Sequence, residues 1–307
     1  MQRYFSHGKL LLSGEYLVLD GATALALPTQ KGQSLEIRSI EDSVVRWRSM
    51  DHRGSQWLSA EFPVEDIPSY RAPGASFQGL SPEERLSTLL SLIAVAQPER
   101  FSSGGYEIRS TMDFPADWGL GSSSTLIANL SKWTGVDPYL LLKKTFGGSG
   151  YDIAVAMAGT AVTYQIRRET RSVLHTRFDP PFKQHLFFVH LNRKMDSRQA
   201  IAHYQLQPRK NLENAVEKAS ALTHRMITCS DLKEFQILLE IHENLISQVT
   251  GQQKVASRLF PDYSGTVKSL GGWGGDFLLA TGSPEDQEYF RNKGYSTIIP
   301  YEEMIGP

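Results

Sequence analysis

"DWGLGSSSTLIANL", Asp117 to Leu130, is an unusual way into a helix. Glycines 119 and 121 flank Leu120, then Ser122, Ser123, Ser124 and Thr125 follow in a row. Only after them do Leu126, Ile127, Leu130 and Trp133 set up one apolar helical face, which Gly135 ends. A helix N-terminus carries N–H groups without intrahelical acceptors and the positive end of the helix dipole, so it suits a phosphate. Glycine at 119 and 121 lets the backbone curl round an anion without interference from Cβ. The hydroxyls can cap the helix, donate to phosphate oxygens, or offer one oxygen to magnesium, which takes hard oxygen ligands. By itself the stretch fits equally a tight turn with Ser122 or Ser123 as a plain N-cap. It is not a P-loop, because the Lys-Ser/Thr pair after the glycines is absent. Nor is it a dinucleotide fingerprint: Ser124 stands at the third glycine's place, and Asp137 is explained as a cap before Pro138. With no lysine inside the loop, phosphate binding requires a positive charge from elsewhere in the chain.

The bulk properties agree with a small, locally bound ligand. A chain of 307 residues supports a sizeable core and a soft expectation of two domains. Its 32 Lys and Arg nearly cancel 33 Asp and Glu, so no global field draws in nucleic acid or an anionic membrane, and neither is expected as a partner. The single cysteine, Cys229, excludes an internal disulfide, fits a reducing compartment, and reads as an inert core thiol in a helical stretch. No apolar run approaches the roughly 20 residues of a membrane span, and "MQRYFSHGK" lacks a signal-peptide core. A soluble cytoplasmic protein, monomer or homodimer, is expected.

Outward from the serine row, the pattern is mixed. "KLLLSGEYLVLDGATALALP" from Lys9 holds short apolar runs, with Asp20-Gly21 predicting a hairpin. Ser34 to Arg48 and Tyr106 to Met112 read as strands. Ser81 to Ala96 reads as a helix, with Ser81, Pro82 and Glu84 in capping-box positions. Asp137-Pro138 starts a short helix that ends at Gly147-Gly148. "GTAVTYQIRR" and "HLFFVHLNR" are strand-like, and a domain boundary is expected between them, in Arg167 to Pro181. Helices over Lys210 to Thr228 and Asp231 to Val249, a glycine-rich element at Gly271 to Gly275, and the strand "DFLLA" follow. Strands mixed with helices without regular alternation favour two α+β domains over a doubly wound sheet.

Three further stretches gain meaning together. Lys9, at the start of a strand, is a candidate for the missing charge, or an ordinary solvated lysine. "GGSGYDIAVAMAG" places Asp152 near a helix start, where the dipole favours a carboxylate able to accept a proton from a substrate hydroxyl, or simply an N-terminal helix charge. "KSLGGWGGDFLLA" sets four glycines around Trp273 before a buried strand, either for close backbone approach to a ligand or as a crowded turn. In this order and at these separations the segments resemble the signature motifs of the GHMP kinase superfamily, which includes galactokinase, homoserine kinase, mevalonate kinase and phosphomevalonate kinase. "GKLLLSGEYLVLDGATALALP" is similar to motif one in its mevalonate and phosphomevalonate kinase form. "GLGSSST" matches the phosphate loop, and "KSLGGWGGDFLLA" matches motif three with a Trp and an Asp inserted into the glycine run. "GSGYDIA" is similar to the PSGxDxA element with Gly148 in place of Pro, and its "GYDIA" is similar to the mark of a subgroup.

The resemblance implies an N-terminal domain like domain two of ribosomal protein S5, over 1–170, that binds ATP. It implies a ferredoxin-like C-terminal domain over 171–307, with ATP and acceptor meeting in the cleft. It implies that Gly119, Leu120, Gly121, Ser122, Ser123 and Ser124 wrap the ATP phosphates and that Ser123 faces Mg2+. Asp152 would act as base or orienter of the acceptor hydroxyl, with Lys9 beside it. Glu15, Tyr16, Gly271, Gly272, Gly274 and Gly275 would lie on the acceptor side. Phosphoryl transfer needs mainly positioning and charge neutralisation, and this equipment suffices for it.

The sequence also departs from the pattern. Mevalonate kinases carry a glutamate some ten residues before the aspartate as a second magnesium ligand; here that region reads "LLLKKTF". Magnesium is then expected on Ser123, Asp152, phosphates and water, next with help from Asp137, or else metal use and catalysis are impaired. Trp273 would fill acceptor space and Asp276 would repel a phosphorylated acceptor, whereas Arg193, Lys194 and Arg198 would hold an anion if they are not merely a solvated loop. The eight histidines show no metal spacing, and none is given a catalytic role. The expected activity is an ATP-dependent kinase acting on a hydroxyl or phosphate of a small acid, mevalonate or phosphomevalonate first, in the manner of isoprenoid biosynthesis. The alternatives are a decarboxylase of the diphosphomevalonate type, a sugar or heptose kinase, and a non-catalytic nucleotide-binding homologue.

Overall fold

A strand, β1 (Gln2–Ser13), opens the chain and pairs with the long β2 (Ala24–Ile40). The computed structural model describes residues 1–70, 77–102, 104–168, 170–195, 197–208 and 210–306, and for 78, 197 and 198 the backbone only. Two compact units divide the chain. The first comprises Met1–Gly8, Lys31–Ala116 and Leu120–Met157; the second comprises Lys9–Gln30, Asp117–Gly119 and Ala158–Pro307. Strands β1 and β2 run through both.

The expected hairpin at Asp20-Gly21 does not form. Leu17–Asp20 is a turn of 3-10 helix, and Gly21, at φ 98, closes it by donating its N–H to Val18 O. Asp-Gly therefore serves a helical C-cap here, because the left-handed glycine suits that role as well as a hairpin turn. The single strand expected over Ser34 to Arg48 is also two strands. β2 ends at Ile40 and β3 (Val44–Met50) follows, with β4 (Gln56–Pro63) after it.

In the first unit, β3 pairs antiparallel with β4 and parallel with β5 (Gly105–Met112), and β5 pairs antiparallel with the later half of β2, Gln33 opposite Met112. Preceding β5, α1 (Pro82–Ala96) has the predicted capping box: Glu84 N–H donates to Ser81 Oγ and Ser81 N–H to Glu84 Oε2. Next come α2 (Ser122–Thr134), stopped by Gly135 at φ 76, then α3 (Pro138–Lys144) and α4 (Tyr151–Ala158). Leu35, Ile37, Val45 and Trp47 from the sheet meet Leu89, Leu90 and Ile93 of α1 and Ile127, Leu130 and Trp133 of α2 in one core. Each such buried aliphatic contributes about 1.5–3 kcal/mol through removal of its surface from water, so the apolar face of α2 holds its N-terminus in a fixed place.

In the second unit, the early half of β2 pairs with β6 (Val162–Arg167), and β6 pairs with β7 (Thr170–His175). A separate sheet follows, built from β8 (Leu186–His190) with later strands. Between them lie α5 (Ser197–Gln205), α6 (Leu212–Thr228), α7 (Leu232–Thr250) and α8 (Val255–Leu259). The sheet is completed by β9 (Val267–Ser269), β10 (Phe277–Thr281) and β11 (Ile298–Pro300), in the order β11-β8-β10-β9, with α9 (Gln287–Asn292) before β11 and α10 (Tyr301–Met304) after it. All residues of β8 and β10 are buried, which explains their continuous rather than alternating apolar pattern. Cys229 is the buried C-cap residue of α6, and its Sγ donates to Asp231 O. Among the described residues no helix is long and apolar enough to cross a membrane.

Candidate active site

The N-cap position of α2 is Gly121, left-handed at φ 89, which has no side chain with which to cap the helix. The reading of Ser122 or Ser123 as a simple cap therefore gives way. Ser124 Oγ donates back to Gly121 O at 2.8 Å, and Thr125 Oγ1 donates to Gln33 Oε1 at 2.6 Å. Those hydroxyls turn away from the leading N–H groups of the helix, where the positive end of the dipole lies. Further along, Asn129 Nδ2 donates to Gln33 O and Asn129 Oδ1 accepts from Ser6 Oγ, both at 2.8 Å and buried. Lys132 Nζ donates to Phe5 O (2.8 Å), Ser6 Oγ (2.9 Å) and Ala156 O (3.1 Å). Burial pushes its pKa down, yet these acceptors fix α2 to β1 and to the end of α4. None of this polar ladder was legible in the motif.

Asp152 is the second residue of α4 and half-buried, in the first turn where a negative charge is favoured. Gly150, at φ 87, leads into it, and a Cβ there would press on the Tyr139 ring. Asp137 is occupied as the cap of α3, its Oδ1 accepting from Tyr139 N–H at 2.9 Å. One of its oxygens is thereby engaged in holding its own helix. Among the described residues, no group of three or more His, Cys, Asp or Glu side chains is arranged to hold a metal.

In the second unit, Lys9 Nζ donates to Gly119 O, the first glycine of the loop, at 2.8 Å. Trp118 packs edge-on to Phe277 at 5.3 Å, which seats the approach to that glycine on β10. Glu15 lies elsewhere than on an open surface. Its side chain is fully buried, with Oε1 2.5 Å from Lys268 Nζ and Oε2 3.4 Å from His242 Nε2. His242 Nε2 accepts from Gly14 N–H at 3.0 Å, so the imidazole is neutral with its proton on Nδ1, and burial holds its pKa well below the usual value. Glu243 accepts from Ser269 Oγ at 3.1 Å and lies 3.7 Å from Lys268; burial raises its pKa to about 7, against the pull of Lys268. Burial also raises the Glu15 pKa against the same lysine. Tyr16 is buried too, at φ 60, with its ring 5.3 Å from that of Tyr204. The turn of motif one is thus an inward-facing structure. His242 could have been flagged from sequence, since it shares the helical spacing of Leu238, Leu239, Leu245 and Ile246.

The glycine-rich turn leads from β9 into β10. Gly271 and Gly274 have φ 57 and 92, and a Cβ on Gly275 would strike Met195 and Arg193 O. Trp273 and Asp276 take left-handed torsions as well, at φ 51 and 52, a conformation that costs an L-residue about 1–2 kcal/mol. Trp273 is 2% exposed, and its Nε1–H has no acceptor among the described residues. Asp276 presses on Gly119; its pKa is raised by burial and lowered, less strongly, by Lys9 and then by the Met195 N–H bond. Arg193 and Lys194 are exposed beside this turn, and the side chain of Arg198 lies outside what is described.

No protein-family model matches the sequence, and no curated protein matches it. Solved structures do match in fold. A phosphomevalonate kinase from Streptococcus pneumoniae, in complex with phosphomevalonate and AMPPNP, is 15% identical over 98% of this chain and 100% of its own, with a TM-score of 0.68. A mevalonate kinase from Methanococcus jannaschii is 14% identical over 97% of this chain and 96% of its own, with a TM-score of 0.66. A galactokinase from Lactococcus lactis, complexed with galactose, is 12% identical over 99% and 93%, with a TM-score of 0.61. The resemblance read from four stretches of sequence thus extends to the three-dimensional structure, and the chain has the α+β fold of the GHMP kinase superfamily.

Proposed function

We propose that the protein is an ATP-dependent kinase that transfers the γ-phosphoryl group to a hydroxyl or phosphate of a small acid, with mevalonate or phosphomevalonate as acceptor. One observation carries this reading: α2 begins at a left-handed glycine, a residue with no side chain to occupy the cap. A helix start built this way presents N–H donors and dipole to an anion, where a structural N-cap would have closed them off. The match in fold to a phosphomevalonate kinase solved with AMPPNP supports it.

Under this reading Gly119 to Ser124 cradle the polyphosphate, and Lys9, tethered to Gly119 O, neutralises charge that develops during transfer. Asp152 orients the acceptor hydroxyl and takes its proton. Ser123 Oγ and the Asp152 carboxylate, both hard oxygen donors, are the residues that would hold Mg2+, with phosphate oxygens and water completing its shell. The ion supplies charge neutralisation on the phosphates. The glycines at 271, 272, 274 and 275 shape the acceptor side. Glu15 and Tyr16 act on it by fixing the buried turn from which motif one is built. We further propose 1–170 as the nucleotide-binding module and 171–307 as its partner module.

The experiment is ADP release from ATP and Mg2+ measured against a panel of mevalonate, phosphomevalonate, diphosphomevalonate, galactose and a heptose phosphate, with carbon dioxide followed in parallel. Stimulated ADP release with mevalonate or phosphomevalonate, without carbon dioxide, is expected. Failure of every acceptor to raise turnover above background hydrolysis would refute the proposal.

A further inference from the structure

The turn before β10 carries two side chains where the fold's third motif has a glycine run, and both sit at torsions that glycine would adopt without strain. Side chains persist at such torsions when the surrounding structure over-determines them, and they concentrate at functional sites. Asp276 is held from three directions. Its N–H donates to Arg193 O (2.6 Å), its carbonyl accepts from Leu191 N–H (2.8 Å), and its Oδ1 accepts from Met195 N–H (3.1 Å). The carboxylate is thereby pressed against Gly119 so closely that a Cβ there would collide with it. Lys9, which donates to the carbonyl of that same Gly119, is its principal countercharge, and His190 and Lys194 add weaker positive fields.

A fixed negative charge here acts on whatever approaches Lys9. A phosphate brought to this point meets like-charge repulsion in a partly buried setting. With an effective dielectric near 20, like unit charges about 5 Å apart weaken binding by roughly a hundredfold. A hydroxyl suffers no such penalty and can donate to the carboxylate. We propose that Asp276 selects the acceptor: it admits a small molecule that presents an unphosphorylated hydroxyl beside Lys9 and turns away one that brings a phosphate to the same point. This rests on the kinase reading above and narrows it to the unphosphorylated class of acceptor.

The test is calorimetric binding of mevalonate, phosphomevalonate and ADP to the full chain as wild type, Asp276→Asn and Asp276→Gly. Asparagine removes the charge and keeps the shape; glycine also relieves the torsion, so it is expected to melt no lower than wild type and secures a folded variant. Wild type should prefer mevalonate, and both substitutions should raise phosphomevalonate affinity at least tenfold and by a larger factor than they change ADP affinity. An unchanged ratio of the two acceptors in both variants overturns the selection, as does a wild type that prefers phosphomevalonate or binds neither acceptor. A rise confined to ADP also overturns it, because the charge then acts on the nucleotide. Selective binding of mevalonate without phosphoryl transfer when ATP and Mg2+ are added would sink the kinase reading and leave the selection intact.

Discussion

Lys268 Nζ sits 2.5 Å from Glu15 Oε1, and neither side chain has any exposure to solvent. The pair joins the turn after β1 to β9, the strand that leads into the glycine-rich turn. Desolvating two charges is costly, and their attraction offsets that cost only while both are present. Lys268→Met should therefore destabilise the protein by about 3–5 kcal/mol, because it strands the Glu15 carboxyl beside Glu243. Combining it with Glu15→Gln should recover part of that loss. Urea denaturation of the single and double variants measures the coupling; strictly additive effects would show that the two side chains do not act as a pair.

The same cluster gives stability a pH dependence of definite sign. Glu243 has its pKa raised from 4.5 to about 7 by burial, with Lys268 opposing and Glu15 reinforcing the shift. Between those values the folded state holds on Glu243 a proton that the unfolded state has released, so the contribution of this residue to stability falls as pH rises through the window, by roughly 3 kcal/mol. His242, kept neutral by burial in the folded state, is protonated below its ordinary pKa only in the unfolded chain and so opposes this slope, whereas the upward shift of Glu15 has the same sign as that of Glu243. Glu243→Gln, which mimics the protonated acid, should flatten the profile between pH 4.5 and 7. Equilibrium unfolding at pH 5 and 7.5 checks this, and an equal slope in the variant would show that another group titrates.

What the sequence disclosed and what it hid follow the reach of each interaction. The capping box at Ser81, the stop at Gly135 and the cap at Asp137 were readable because each is settled within four residues. The Asp20-Gly21 turn was misread because a left-handed glycine serves a hairpin and a helical C-cap alike, and tertiary packing around Leu17 and Val18 decides between them. The partner of Glu15 lies 253 positions away, and the burial that raises the Glu243 pKa exists only in the folded chain. The motif placed Lys9 near the loop, but its hydrogen bond to Gly119 O spans 110 positions and needed coordinates.

Lys132 supports α2 from beneath through three oxygens, one of them the buried Ser6 Oγ. Methionine would fill similar volume while leaving those acceptors short of a donor, at a cost of about 1–3 kcal/mol for each that water cannot reach. Lys132→Met should lower stability by about 2–4 kcal/mol and, if the helix start binds phosphate, should weaken ADP binding through a less firmly seated α2. Unchanged thermal melting would show that the lysine is dispensable to the scaffold.

Asp152→Asn and Gly121→Ala separate chemistry from binding at the proposed site. Asparagine keeps the shape of the aspartate and removes the proton acceptor, so turnover should fall by about 10²–10⁴ while ADP affinity measured without Mg2+ stays within a few-fold. Alanine at 121 places a Cβ at φ 89, adding about 1–2 kcal/mol of strain where the helix start must present its amides. ADP affinity should then fall roughly tenfold, a change of about 1.4 kcal/mol. A non-catalytic nucleotide binder would lose ADP affinity with Gly121→Ala and show no turnover for Asp152→Asn to remove.

Gly119 and Asp276 offer a test of geometry that needs no assumption about activity. Alanine at 119 meets two penalties: a Cβ at φ 66, and collision of that Cβ with the Asp276 carboxylate. The first belongs to residue 119 alone and amounts to about 1–2 kcal/mol; the second exists only while a side chain stands at 276. Gly119→Ala should therefore destabilise wild type by about 2–4 kcal/mol, a range that adds overpacking to strain. In an Asp276→Gly background it should cost only the torsional part. The coupling from a double-mutant cycle, at least about 1 kcal/mol in favour of the double variant, measures the contact itself. A Gly119→Ala penalty that is the same in both backgrounds would mean that the carboxylate does not rest on the loop. The basis for acceptor selection by Asp276 would then be gone, whatever the enzyme phosphorylates.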